Sequence, residues 1–104
     1  MANIEKEKAL VDAAYNGDLS MVKSLIEEGV NVNCFPVDMT PLMAAAWKGY
    51  QEDSVAIIEL LIKSGADVNA TDRNGSSAVR LAQRKGLSKI IDVLTAHGGK
   101  YLGA

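Results

Sequence analysis

Apolar residues return three and four positions apart in three stretches of this chain: Leu19-Ser20-Met21-Val22-Lys23-Ser24-Leu25-Ile26, Val55-Ala56-Ile57-Ile58-Glu59-Leu60-Leu61-Ile62 and Leu87-Ser88-Lys89-Ile90-Ile91-Asp92-Val93-Leu94. That spacing lines the apolar side chains along one face of a helix and predicts three half-buried helices. Gly29, Gly65 and Gly98 follow them, at the place where a left-handed residue ends a helix. A second glycine set, Gly17, Gly49 and Gly86, precedes the stretches, at offsets of 12, 16 and 12 residues from the first. The middle copy therefore carries four additional residues, within Tyr50-Gln51-Glu52-Asp53-Ser54.

A further helix is predicted ahead of each of these. Thr40 can cap one through its hydroxyl, and Pro41 suits the first helical position, which needs no amide hydrogen. Leu42 and Ala44-Ala45-Ala46 follow, small enough to let this helix lie close to its neighbours. After the closing glycines, Val30-Asn31-Val32-Asn33-Cys34 parallels Ala66-Asp67-Val68-Asn69-Ala70. Asp72-Arg73-Asn74-Gly75 then reads as a tight turn, for which Asn-Gly is a strong signal. The unit is helix, turn, helix, glycine stop and extended finger, at about residues 5–34, 35–70 and 71–98, with a tail over 99–104. No unit can bury its apolar stripe alone, but stacking buries it continuously.

The run Met39-Thr40-Pro41-Leu42-Met43-Ala44-Ala45-Ala46, then Gly49, Leu60-Leu61-Ile62 and Gly65-Ala66-Asp67-Val68-Asn69-Ala70, resembles the ankyrin repeat over roughly residues 5–98. The resemblance implies an all-α fold: a solenoid of three helix-turn-helix units with short β-hairpin-like fingers. It departs from the family pattern at the histidine that usually follows Thr-Pro-Leu, where Met43 and, in the third unit, Arg80 stand instead. The third unit, Ser77-Ala78-Val79-Arg80, also lacks the proline. Glu5-Lys6-Glu7-Lys8 fits a polar N-terminal cap, and Gln83, Arg84, Lys85 and Lys89 a C-terminal one, so the array is expected to be complete.

Composition narrows the function classes. The chain has 104 residues, room for a single domain. Its lone cysteine, Cys34, excludes an internal disulfide and any paired-cysteine zinc site. A reducing, cytoplasmic setting is expected. The start of the chain lacks the apolar segment of a secretory signal. No run approaches the roughly 20 apolar residues that cross a bilayer. The formal net charge of −2 hides a gradient, from −6 over residues 1–70 to +4 over 71–104. Catalysis is not expected. The single histidine, His97, and Cys34 fall in the last and first units, and neither a ligand cluster nor a phosphate loop is visible. No cofactor or metal is implied.

The ankyrin resemblance implies partner binding across a concave face of finger tips and inner helices. Three places match it. The middle finger, Phe35-Pro36-Val37-Asp38-Met39, is largely apolar and lacks a glycine. Its alternative role is to fold Phe35 or Val37 back over the joint between units one and two. The inner-helix ends are Tyr15-Asn16, Trp47-Lys48 and Arg84-Lys85, and Trp, Tyr and Arg are enriched at interface hot spots. Their alternatives are packing for Trp47 and a solvated cap for Arg84 and Lys85. Arg73, Arg80 and Arg84 form the third place, where the arginines can grip carboxylates or serve as ordinary surface charge, and Met43 and Asn74 are expected on the same partner-binding face. The expectation is a non-enzymatic module, monomeric on its own, that binds a partner protein as adaptor, inhibitor or immunity-type partner. Nucleic-acid or small-ligand binding by the basic third unit is the alternative.

Overall fold

Each glycine-terminated stretch forms a helix, and each is preceded by another. In a computed structural model that describes residues 3–100, these are α1 (Ile4–Asn16), α2 (Leu19–Glu27), α3 (Pro41–Trp47), α4 (Ser54–Lys63), α5 (Ala78–Lys85) and α6 (Ser88–Ala96). The first two residues and residues 101–104 of the expected tail lie outside the described residues. No strand occurs among the described residues, so the fingers are turns and extended backbone.

Local chemistry sets the helix ends. Asn3, Asp18, Thr40 and Ser77 accept hydrogen bonds from backbone N–H groups of the first turns of α1, α2, α3 and α5. Ser77 does for α5 what Thr40 does for α3, so the missing proline costs no cap. Gly29, Gly65 and Gly98 take φ of 88°, 101° and 93°. Beyond them, the N–H groups of Val30, Ala66 and Gly99 donate to the carbonyls of Leu25, Leu61 and Leu94. These are three copies of one Schellman closure in one register.

The helices pack in two rows. α1, α3 and α5 lie side by side, as do α2, α4 and α6, and each unit's pair joins the rows. The stack measures 40 × 28 × 20 Å. Leu10, Val22, Leu42, Ile57, Ile58, Leu61, Val79, Ile90 and Leu94 form the core between the rows. The alanines of α3 let its neighbours approach so closely that Pro41 through Ala46 are all buried. Met43 is 1% exposed, which corrects its expected place on the partner-facing surface. Its side chain turns back over its own helix start, where the Thr40 N–H donates to Met43 Sδ at 3.5 Å and the Met43 N–H donates to Thr40 Oγ1 at 3.1 Å. Sulfur closes the reciprocal cap that a longer polar side chain would otherwise close.

Successive units are also clipped together by asparagine. Asn33 Nδ2 donates to the Gly65 carbonyl at 3.0 Å, and Asn33 Oδ1 accepts from the Asp67 N–H at 2.7 Å. Asn69 repeats this toward the Gly98 carbonyl and the Lys100 N–H, both at 3.0 Å. Each amide thus satisfies the open backbone beyond the next unit's glycine.

Cys34 fills the place that Ala70 takes in the next unit. It is buried, and its thiol faces the Glu7 carbonyl of α1. Burial, reinforced by the Glu7 charge, pushes the thiol up from 9.0 to about 11. Native protein is therefore expected to resist iodoacetamide at neutral pH, whereas unfolded chain reacts. Above pH 9.0 the unfolded chain loses this proton first, so the thiol's contribution to stability falls as pH rises toward about 11. Urea midpoints measured across that window are expected to fall more steeply for wild type than for Cys34→Ala.

Candidate functional site

The finger tips project from the starts of α3 and α5. In the middle finger Phe35 and Val37 are 41% and 47% exposed, so neither folds back over the joint between units. Met39 is half-buried and packs against the core. Asp38 holds φ at +67°, the one non-glycine residue in the left-handed region among those described. Counting back from the caps Thr40 and Ser77, Asp38 takes the place of Gly75, whose φ is 75°. Its carboxylate accepts from Arg73 Nε at 2.9 Å, so a strained residue on one finger is paired with the next. Arg73 keeps most of its side chain exposed in this pair.

The third finger is shaped by Asp72. Its carboxylate accepts from the N–H groups of Asn74 and Ser76, and its carbonyl accepts from Gly75. This fixes Asn74 at an exposed tip. Arg80 is half-buried at the start of α5, and Arg84 is exposed one turn later.

At the other end of the inner helices a ladder of rings and cations runs from unit to unit. Lys48 Nζ lies 4.8 Å from the centre of the Tyr15 ring and 5.6 Å from that of Tyr50. Lys85 Nζ lies 4.4 Å from the centre of the Trp47 ring. In each case the lysine ends the inner helix next to the one that carries Tyr15 or Trp47, and all of these separations are within cation–π range. Hydrogen bonding to the Tyr50 side chain, then the charges of Tyr15 and Tyr50, hold the Lys48 ammonium above the usual lysine value. Asn16, beside Tyr15, is exposed.

The insertion builds this edge. Gln51 Nε2 donates to the Tyr15 carbonyl at 2.8 Å and to the Lys48 carbonyl at 3.2 Å. Ser54, itself buried, donates through Oγ to the Lys48 carbonyl at 3.1 Å and accepts from the Gln51 N–H at 3.2 Å. The loop thereby ties the ends of α1 and α3 together and presents Tyr50, which is 61% exposed. In the sequence these residues read only as added length between the two helices of unit two. A glutamine next to two helix ends with open carbonyls was the available signal.

A family model described as ankyrin repeats in three copies matches residues 1–72. The chain belongs to the ankyrin-repeat family. Relatives of this ankyrin-repeat chain include the ankyrin repeat and KH domain-containing protein mask-1 of Caenorhabditis elegans, 36% identical over 88% of the chain and 3% of that protein. The serine/threonine-protein kinase VIK of Arabidopsis thaliana is 32% identical over 95% of the chain and 24% of the kinase. The ankyrin repeat protein YahD of Escherichia coli (strain K12) is 35% identical over 86% of the chain and 46% of that protein. The chain thus spans less than half the length of each. Ankyrin repeats are in general protein–protein interaction modules, and the repeat fold is itself non-catalytic. The third ankyrin unit lies almost wholly beyond the matched residues, but α5 and α6 stack on α3 and α4 as those stack on α1 and α2. Among the described residues no His, Cys, Asp and Glu side chains gather to hold a metal ion, and no helix is long and apolar enough to cross a membrane.

Proposed function

We propose that the chain grips a partner protein across the face formed by its finger tips and inner helices, in a reducing cytoplasmic setting. The observation that carries this reading is the middle finger. Phe35 and Val37 stand out from a tip whose backbone turns through the left-handed Asp38, which forms an exposed ion pair with Arg73 of the next finger. Exposed apolar side chains on a fixed tip suit contact with another protein better than they suit stability. Tyr15, Asn16, Trp47, Lys48, Asn74, Arg80 and Arg84 extend the surface along the inner helices. A stack of this size can bury a standard interface of about 1,600 Å².

Photocrosslinking in host cells tests this. A photoreactive residue at position 37 is expected to trap a discrete partner, and one at position 63 on α4 is not. Phe35→Ala is expected to weaken binding of the trapped partner about tenfold, or about 1.4 kcal/mol. Equal trapping from both positions, or unaltered affinity of Phe35→Ala, would refute the finger face.

A further inference from the structure

The four added residues of unit two do more than lengthen a loop. They form one wall of a groove of about 540 Å³, and the α5–α6 junction forms the other. Val55 and Leu87, both half-buried, give the groove its accessible apolar lining, the almost wholly buried Ile90 backs it, and the exposed ring of Tyr50 stands at its rim. Its size falls in the range of ligand-binding clefts. The wall is fixed in advance by the four hydrogen bonds of Gln51 and Ser54, so little ordering is left for a ligand to impose.

Charge decides the occupant. Lys89 lies on the groove wall, and Lys48 and Lys85 stand over the Tyr15, Tyr50 and Trp47 rings beside it. None of the three forms an ion pair among the described residues, where the pairs are Lys6–Glu28 and Arg73–Asp38. One carboxylate, Glu52, lines the groove against them. The helix C-termini favour Lys48 and Lys85 where they stand, but that preference covers neither Lys89, in the first turn of α6, nor a partly apolar groove opening next to them.

We propose that this groove docks an acidic segment of a partner protein, with one aliphatic side chain seated on Val55 and Leu87 and its carboxylates on Lys48, Lys85 and Lys89. The groove opens at the C-terminal ends of α3 and α5, a helix length from the finger tips, and shares only Lys48 with the partner-binding face proposed above, so its occupancy does not depend on Phe35 and Val37.

Trp47 is the sole tryptophan, and its contact with Lys85 makes its fluorescence a reporter for this edge. The probe is a synthetic twelve-residue peptide of aspartate and glutamate around one central leucine. Saturable quenching or shift of Trp47 emission is expected, with affinity falling as salt rises. The same peptide with serine for leucine, and a lysine-rich peptide that keeps the leucine, are each expected to bind at least about tenfold more weakly. Lys85→Gln/Lys89→Gln, both at exposed positions, should lose about tenfold with its thermal unfolding unchanged, and Lys85→Arg/Lys89→Arg should retain binding. No saturable change by fluorescence or by calorimetry, equal affinity for the lysine-rich peptide, or unaltered affinity of the glutamine variant overturns the proposal. Phe35→Ala leaves this titration unchanged, so failure here and failure of the finger face are separate results.

Discussion

Leu61→Ala is expected to lower the stability of the chain by about 2–5 kcal/mol and to unfold it as a whole instead of loosening one end. Leu61 is fully buried on α4, the middle helix of its row, between α2 and α6. In a stack where each unit touches only its neighbours, stability is a sum of unit and interface contributions. A cavity in the middle unit weakens two interfaces, and three units are near the minimum for folding. Leu25 and Leu94 occupy the same place in the end units, four residues before the closing glycine, and are also buried. Truncating either weakens one interface. Those variants are expected to lose less and to unfold with a shallower dependence on urea as the end unit frays first. Urea unfolding followed by circular dichroism compares the three variants, and amide exchange shows which units open. A Leu61→Ala midpoint shift no larger than those of the end variants would mean that the units do not support one another as described.

The helices and their ends were legible because their causes are local. Thr40, Ser77 and the glycines at 29, 65 and 98 act within a turn of where they stand. What depends on which helix faces which was not legible. Met43 is expected on the partner-facing surface from the resemblance, yet the three alanines after it draw α1 and α5 over the helix and bury it. The left-handed turn at Asp38 depends on its register, two residues before Thr40, where Gly75 stands before Ser77. The apolar character of Phe35 and Val37 was plain in the sequence, but their exposure was one of two open readings. The rings and lysines at the helix ends were noticed as single residues. That Lys48 covers Tyr15 and Lys85 covers Trp47 follows from how adjacent inner helices end side by side, which residue type alone does not fix.

The glycines before the second helices look equivalent in sequence, but they are required for different reasons, and this sets up a sharper test. Gly17 and Gly86 have φ of 73° and 68°, and a side chain at Gly86 would meet nothing within 4 Å. Gly86→Ala is therefore expected to cost about 1–2 kcal/mol through its backbone alone. Gly49 is not left-handed, because Lys48 ends α3 and the insertion carries the chain onward. A Cβ there would lie 2.5 Å from Ile90 Cγ1 and 3.1 Å from the Ala46 carbonyl oxygen. Ile90 is 1% exposed, and the clashing atom is the root of its longer branch, so it has nowhere to swing. Gly49→Ala is expected to cost about 1–3 kcal/mol by overpacking. Ile90→Ala alone is expected to cost about 2–5 kcal/mol for the cavity it leaves. Combined, the two should offset each other, because the methyl group introduced at position 49 enters the space that Ile90 vacates. The double variant is then more stable than the sum of the single losses predicts, with a coupling of about 0.5–3 kcal/mol. No such coupling is expected between Gly86→Ala and Ile90→Ala, since no Ile90 atom lies within 4 Å of a Cβ at position 86. Additive losses for the Gly49–Ile90 pair would remove the close approach of the α3 end to α6. The groove would go with it, because that approach brings the insertion up to the α5–α6 junction.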